Sequence, residues 1–464
     1  MIAALHFKGK LLHECTLAGD TRADGLFPGH INAAQASRDR FLVLYSTRNW
    51  RGSDDNCSII CQIRDGAYDG PVLREVRLAR SVDDWRPFDD GKTYVKAHLH
   101  PLVFGVPAGA LVDGRTPENA GLFVFMWNRR ARELDPETGF MLHYHKEVPV
   151  LDDLSVTEWT QLRLNAAGDD FEVVQPVETL RQRDYTLGYP FCEIDARRMA
   201  LTMNPPVPRD AAGTEWIGST TYQRPGEPER AGTKGFVYNK VRDRYEWRHC
   251  GPLSAPGLFE SAVARLDGRW VLMARIQKSM KAKGGGPVAW MPMDDPYGPL
   301  PDPLCPGAPR ANAPTTAFRC ADGGLRLFTS DPGLSPYGHP RNPLFMWDID
   351  PSDGFRAKER RTVFDSVARG LPIREESLPV VDQAKVFPHA GGRRQLVAHR
   401  VRPRALASGL KTGVVVNEAE KEVSGIYYSE IEYTESQPAQ WRFAEAEKGA
   451  GREKGGTNEE HEGK

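Results

Sequence analysis

Apolar positions along this chain occur in short runs bounded by Gly, Pro, Asp and Asn, and helical periodicity is hard to find. Runs of this kind are typical of β-strands joined by turns. In one recurring pattern, a turn with Asp, Asn or Gly leads into a strongly apolar strand. It occurs six times, at 37–46, 118–128, 193–204, 266–275, 321–330 and 390–400. The pattern predicts an all-β fold built from repeats.

A second recurring feature is a turn segment containing Asp, Gly or Trp, which follows each of these strands. It occurs at 81–85, 155–159, 243–247, 293–298, 351–355 and 438–443. We expect these turns at the ends of outer strands, where they would hold one hairpin against the next. Six strands that alternate with six turns predict a six-bladed β-propeller, with a seven-bladed ring as the alternative.

We expect one propeller domain over residues 1–443, followed by a tail at 444–464. The tail is charged and Gly-rich and has almost no large apolar residue, so it cannot bury enough surface to fold. The sequence therefore predicts a disordered tail.

The overall charge narrows the range of partners. The chain has 61 Lys and Arg against 62 Asp and Glu, a formal net charge of −1, so it has no global basic field that would attract nucleic acid. The mean hydropathy is −0.51, and no stretch approaches the roughly 20 apolar residues of a membrane span. We therefore expect neither a nucleic-acid nor a membrane partner, and the oligomeric state stays open.

The N-terminus shows no secretory signal, and the seven cysteines form an odd set without a CxxC pair. Both features favour a cytoplasmic location with reduced thiols, with secretion or a periplasmic location as the alternative if a leader has been removed. No cofactor is expected, although a structural divalent cation on the propeller axis is compatible with the fold.

Polar residues interrupt the strands that precede the six turns. In a propeller, side chains near the start of the innermost strands converge on the axis, so a site is assembled from matching positions in different blades. The matching positions are His30, His98 with His100, Tyr189 with Glu193, Glu260, Thr315 with Thr316, and Phe387 with His389. Buried polar side chains need a partner or a function, and two histidines two apart on a strand should point the same way.

Three segments resemble the sialidase superfamily of six-bladed propellers with Asp-box turns, and the resemblance spans most of residues 25–445. The segment 258–277 is similar to the family strand that carries a Glu, a DG turn and then an Arg, matched here by Glu260 and Arg275. The segment 339–355 is similar to the strand with another arginine of the carboxylate-binding triad, matched by Arg341.

The third segment, 29–56, resembles the family's opening strand and the loop that bears the catalytic Asp, matched by Asp55. Arg48 in the same segment is a further candidate for substrate binding. Two positions depart from the family pattern, because His30 stands where the first triad arginine would be and Phe387 where the nucleophilic Tyr would be. Since sialidases clamp the sialic acid carboxylate with three arginines and use a Tyr–Glu pair, we expect standard sialosides to be poor substrates.

The leading hypothesis is a sialidase-like glycoside hydrolase that acts on an acidic or modified sugar. In this hypothesis Arg275 and Arg341 bind the anionic group, helped by Arg48, Glu193 and His389. Asp55 and Glu260 are the paired carboxylates that glycoside hydrolysis requires.

Two alternatives stay open. One is a polysaccharide lyase that acts on a uronate, in which His30, His98, His100 and Tyr189 transfer protons. The other is a glycan-binding propeller without activity. A structural interpretation also exists for the arginines, which could be cross-blade ion pairs.

Overall fold

The computed structural model describes residues 1–12, 26–49, 58–134, 156–180, 199–201, 204–222, 228–276, 285–371, 378–402 and 418–444. Within these ranges, six sheets form a ring. Helix is limited there to α1 (Glu418–Val423) and two 3-10 turns, Pro332–Leu334 and Pro351–Asp353. The protein is a six-bladed β-propeller, which confirms the predicted fold and excludes the seven-bladed alternative.

The first three blades follow one another along the chain. The first contains β2 (Leu26–Gln35), β3 (Arg40–Asn49), β4 (Ile59–Asp65) and β5 (Val72–Ala79). The second contains β6 (Val82–Trp85), β7 (Tyr94–Gly105), β9 (Leu122–Glu133), β10 (Val156–Leu164) and β11 (Phe171–Thr179), with β8 (Ala110–Leu111) outside the sheet. The third contains β12 (Met199–Leu201), β13 (Val207–Pro208), β14 (Glu215–Tyr222), β15 (Arg230–Asn239) and β16 (Arg244–Cys250).

The last three blades complete the ring. The fourth contains β17 (Leu258–Leu266), β18 (Arg269–Ile276) and β19 (Val288–Met293). The fifth contains β20 (Thr316–Arg319), β21 (Leu325–Thr329), β22 (Leu344–Asp350) and β23 (Arg356–Phe364). The sixth contains β24 (Val380–Val386), β25 (Arg394–Arg402), β26 (Gly425–Tyr433) and, from the start of the chain, β1 (Ile2–Leu12), whereas β27 (Arg442–Phe443) pairs with β8.

The hydrophobic core is divided among the interfaces between blades. Six large apolar clusters lie between blades 1 and 2, 2 and 3, 3 and 4, 4 and 5, 5 and 6, and 6 and 1. A middle strand is therefore covered on both faces, which explains why the recurring strands are apolar without alternation. In β3, for example, Leu42 and Leu44 face the second blade while Val43 and Tyr45 face the sixth.

Five of the recurring apolar segments contain the second main strands of their blades, namely β3, β9, β18, β21 and β25, whereas the segment 193–204 contains β12, the first strand of the third blade. The turn segments are less regular than predicted. Residues 351–355 lie at the start of the outer strand β23, but residues 82–85 form β6, which pairs with the innermost strand β7. The predicted disorder of the tail concerns residues 445–464, which lie outside the described residues.

The first strand of the chain closes the ring. β1 pairs antiparallel with β26, so that Leu5 lies opposite Ile431 and Lys10 opposite Tyr427. Leu11 and Leu12 join the cluster between the sixth and first blades. The sixth blade is thus built from both ends of the propeller, and the sequence analysis did not predict this pairing.

Deletion of residues 1–12 should lower the melting temperature sharply or make the protein insoluble, because β26 would become an exposed edge and the cluster around Leu12 would open. Deletion of residues 445–464 is the matched control, for which the sequence predicts an unchanged melting temperature. Equal melting temperatures for the full chain and the 1–12 deletion would show that β1 does not close the ring.

No helix in the described ranges is long and apolar enough to cross a membrane.

Candidate functional site

Four innermost strands carry a β-bulge at the same level of the ring. The pairing register shifts between Pro28 and Ile31, Leu99 and Leu102, Phe259 and Ala262, and Asp382 and Lys385. Three of the bulges contain a non-glycine residue with positive φ, namely His100 at 51°, Glu260 at 45° and Gln383 at 60°. Such conformations cost about 1–3 kcal/mol each and cluster at functional sites. The bulges therefore mark a candidate site near the axis, the axial site.

Two imidazole rings meet in this site across the first and second blades. The ring centroids of His30 and His100 are 4.0 Å apart. Arg400 Nη1 lies 3.5 Å from Nε2 of the buried His30, and Nδ1 of the same ring is 3.4 Å from Ser46 Oγ. A guanidinium can only donate, so Nε2 of His30 is the acceptor and Nδ1 carries the proton. His30 is therefore held between Arg400 and Ser46, and the ring of His100 packs against it.

Asp382 holds three arginines at the centre of the site. Its fully buried carboxylate accepts from Arg400 Nε at 2.8 Å and Arg341 Nη1 at 3.0 Å, and it lies 3.5 Å from Arg402 Nη2. Burial alone would raise the pKa of Asp382, but Arg400, Arg402 and Arg341 together lower it well below its usual range. Asp382 is therefore ionised and fixes the guanidinium groups around it.

A fourth arginine comes from the fourth blade. Arg275 is buried and forms an ion pair with the partly exposed Glu260, and its guanidinium stacks over Phe259 at 4.9 Å. Its Nε and Nη2 are buried and have no hydrogen-bond partner among the described residues. Burial lowers the pKa of Arg341, Asp382 raises it, and Arg402 and Arg275 lower it further, which places these charges close together.

The axial site gathers charged side chains from different blades. Four guanidinium groups, Arg275, Arg341, Arg400 and Arg402, face two carboxylates, Glu260 and Asp382. A buried guanidinium with unsatisfied donors is costly unless an acceptor meets them. Because two nitrogens of Arg275 lack partners, the arrangement suits an anionic group with oxygen acceptors.

The structure corrects the prediction for His98. Its Nε2 lies 3.5 Å from Glu158, which also pairs with Arg129 at 3.1 Å and accepts from Trp127 Nε1 at 3.0 Å. Burial alone would raise the pKa of Glu158, but His98, Arg129 and Trp127 lower it. The bulge after Leu99 ends the strand alternation, so His98 and His100 do not share one direction. His98 is part of a buried polar cluster within the second blade.

Replacement of His98 by Leu should therefore lower the free energy of unfolding by about 1–3 kcal/mol, because Glu158 loses one buried partner. The ratio kcat/KM on the eventual substrate should not change. His100→Leu is the contrasting variant, and it should reduce turnover with little loss of stability. Denaturation and steady-state kinetics on both variants test this, and a loss of turnover in His98→Leu would return His98 to the site.

On the sixth blade, the predicted site positions Phe387 and His389 do not lie at the β-bulge, which falls between Asp382 and Lys385. Phe387 lies in the apolar cluster between the sixth and first blades and packs against Tyr68, with ring centroids 5.0 Å apart. His389 follows the end of β24 and lines a cavity away from the axial bulges. The residues at the level of the site are Asp382 and Gln383, a polar pair inside the apolar run VVDQAKV. That interruption was the available signal.

The other predicted site residues have different outcomes. Glu260, Arg275, Arg341, His30 and His100 meet in the axial site. Arg48 lies near the end of β3, opposite Phe27 in the ladder with β2. Asp55, Tyr189 and Glu193 lie outside the described residues, and their roles stay predictions.

In the parts of the chain that the structure describes, no three His, Cys, Asp or Glu side chains are grouped so that they could share a metal ion. The axial cation stays a prediction.

Comparisons with known proteins give solved sialidase structures. No family model and no curated protein matches the chain. Trypanosoma rangeli sialidase in complex with the inhibitor DANA superimposes with a TM-score of 0.54 at 8% identity, over 92% of this chain and 58% of that chain. NanB sialidase from Streptococcus pneumoniae superimposes with a TM-score of 0.52 at 9% identity, over 91% of this chain and 70% of that chain. The Hadza microbial sialidase Hz136 superimposes with a TM-score of 0.50 at 12% identity, over 86% of this chain and 66% of that chain.

The chain thus spans less than two thirds of the length of the trypanosomal sialidase. At these identities the likeness shows the fold alone. The sialidase-like six-bladed propeller that the sequence predicted is confirmed at that level.

Proposed function

We propose that the protein is a carbohydrate-active enzyme whose axial site binds an acidic sugar and cleaves the adjoining glycosidic bond. The observation that carries the proposal is the buried guanidinium of Arg275, whose Nε and Nη2 have no hydrogen-bond partner among the described residues, beside the ion pair of Arg341 with Asp382. A guanidinium fork recognises a carboxylate through two parallel charge-assisted bonds. The sialidase fold of the chain supports a sugar as the carrier of that carboxylate.

Hydrolysis is the leading reaction. Glu260 is a carboxylate that is about one quarter exposed, so it can reach a ligand, and its ion pair with Arg275 orients it. Asp55 is the second carboxylate of this proposal, on the sequence resemblance alone. Two such groups on either side of the bond supply the acid and the base or nucleophile of a glycoside hydrolase.

A lyase is the second candidate, and the paired rings of His30 and His100 favour it. Abstraction of a proton next to a uronate carboxylate needs a neutral base and a cation that stabilises the developing charge. His100 would take the proton, the carbon–oxygen bond to the leaving sugar would break, and Tyr189, on the sequence prediction alone, would give a proton to that oxygen, while Arg341 or Arg275 would bind the carboxylate. Neither proton transfer requires a Tyr at Phe387.

Standard sialosides should be cleaved very poorly. The axial site has a histidine, His30, where the family's first triad arginine would be, and the sixth blade presents Asp382 and Gln383 at the level of the site. A fluorogenic sialoside assayed beside a panel of uronic acid glycosides tests this. Efficient release of sialic acid would contradict the assignment.

One assay separates the candidates. Incubation with uronate-containing oligosaccharides should release new reducing ends if the protein is active. Hydrolysis gives saturated products, whereas a lyase also gives an unsaturated uronate that absorbs in the ultraviolet. Products of neither kind across acidic glycans, together with retained binding, would leave a glycan-binding propeller and overturn the enzyme proposal.

A further inference from the structure

A cavity lies toward the opposite end of the innermost strands from the axial bulges. It has a volume of about 520 Å³. Its walls come three to five residues after the axial bulge in each strand, with 33–35 following His30, 103–105 following His100 and 263–265 following Glu260. At about 3.3 Å per residue, these walls lie roughly 10–16 Å from the level of the axial site. We call it the distal cavity.

The inner wall of the distal cavity is apolar, whereas part of its lining is polar. The apolar residues are Ala33, Val103, Val263, Ala317 and Val386. The polar residues include Arg265, Arg319 and His389. A concave site of this volume, with mostly apolar walls and a few polar groups, is typical of a small-molecule site.

His389 presents an unused acceptor on this lining. Its Nε2 is 3.2 Å from the backbone carbonyl of Gln437, so Nε2 carries the proton and Nδ1 is the acceptor in the neutral ring. Nδ1 is buried and has no hydrogen-bond partner among the described residues. Burial lowers the pKa of His389 although the Gln437 carbonyl raises it, which keeps the ring neutral near pH 7. A ligand with a hydroxyl or N–H donor would satisfy Nδ1.

The charged groups on the lining favour an anion. Arg265 donates from Nη1 to the carbonyl of Arg209 at 2.6 Å, and Arg319 contacts the exposed Asp267 at 3.1 Å. The carboxylate on the lining, Asp210, already accepts from the amide and hydroxyl of Thr214. Arg265 therefore has no carboxylate partner among the described residues, whereas Arg319 is shared between Asp267 and the side chain of Gln437.

We propose that the distal cavity binds a small organic acid with an apolar body and a hydroxyl group, separately from the axial site. The carboxylate would face Arg265 and Arg319, the body would contact the alanine and valine side chains, and the hydroxyl would donate to His389 Nδ1. Hydroxylated aromatic acids are one class of molecule that combines these three features.

Calorimetric titration with 4-hydroxyphenylacetate tests the proposal on the full chain. Phenylacetate lacks the hydroxyl, and 4-hydroxyphenylacetamide lacks the charge. We expect the hydroxy acid to bind about three- to tenfold more tightly than phenylacetate and about tenfold more tightly than the amide, as expected for one hydrogen bond and one charged contact.

Two variants locate the binding. His389→Leu should abolish the preference for the hydroxyl, and Arg319→Gln should reduce the preference for the acid over the amide. Because Arg319 is exposed, its variant should fold even if His389→Leu does not. Arg275→Lys, at the axial site, should leave the titration unchanged. No binding of any probe, or binding that Arg275→Lys removes and Arg319→Gln retains, would overturn the distal site.

Discussion

Replacement of Asp382 by Asn should lower the free energy of unfolding by about 3–5 kcal/mol, the usual cost of removing one partner from a buried ion pair. The side chain keeps its shape but loses the charge that Arg341, Arg400 and Arg402 share. Each of these guanidinium groups would then lose an ion-pair partner in the protein interior. Urea denaturation followed by fluorescence and circular dichroism measures the change and checks for a single transition.

Glu418→Gln is the matched control. Glu418 is 89% exposed and pairs with Lys421, so its loss should cost at most about 1 kcal/mol. A cost for Asp382→Asn no larger than for this control would show that Asp382 does not organise the axial site.

The contribution of Asp382 to the free energy of unfolding should decrease at acidic pH. Its pKa in the folded protein is well below the value of about 3.9 in an unfolded chain, so its stabilisation is complete above that value. The stabilisation is lost as the pH falls through the folded-state pKa. The difference in stability between the unmodified protein and Asp382→Asn should therefore be constant near neutral pH and shrink below about pH 4.

Replacement of Arg275 by Lys should weaken binding of the acidic ligand by about 1.5–3 kcal/mol, which is roughly ten- to a hundredfold in the dissociation constant. Lys can keep the ion pair with Glu260, but it cannot reproduce the planar fork that Nε and Nη2 offer. The fold should stay intact because the positive charge remains. Ligand titration with thermal melting alongside measures both effects.

Arg269→Lys is the control for this variant, because Arg269 lies on the same strand, β18, and forms an exposed pair with Asp294. It should change neither affinity nor melting temperature. If Arg275→Lys melts far lower than this control and binds its ligand unchanged, Arg275 is a structural ion-pair residue and the acidic-sugar site loses a main support.

The propeller could be predicted from the sequence because its middle strands are covered on both faces. Such strands are continuously apolar, and the turns before them recur at each blade. Glu260 and Arg275 could be found as a pair because the segment 258–277 resembles a sialidase hairpin, and the structure places both on the hairpin of β17 and β18. The closing strand β1 could not be found, because its pairing with β26 links the two ends of the ring.

The sixth-blade part of the site escaped prediction because its one mark in the sequence, the polar pair Asp382 and Gln383 inside an apolar run, does not by itself reveal a β-bulge. The matching position was placed at Phe387 and His389, whereas the structure has Gln383 there. Arg400 and Arg402 flank Val401 on β25, a pattern that is typical of an ordinary strand in the sequence. Only the structure shows that both arginines contact Asp382 on the neighbouring strand. A similar bulge on β7, between Leu99 and Leu102, turns His100 away from the direction of His98.

The most direct test of the central claim is a calorimetric titration of the Glu260→Gln variant with a uronate-containing oligosaccharide and with its carboxyl-reduced form. Removal of the Glu260 carboxylate should slow turnover, so that the oligosaccharide stays intact during the titration, while the arginines around Asp382 remain. If the axial site recognises an acidic sugar, the uronate form should bind at least about tenfold more tightly, as expected for a charge-assisted bond. Equal affinity for the two forms would contradict the account.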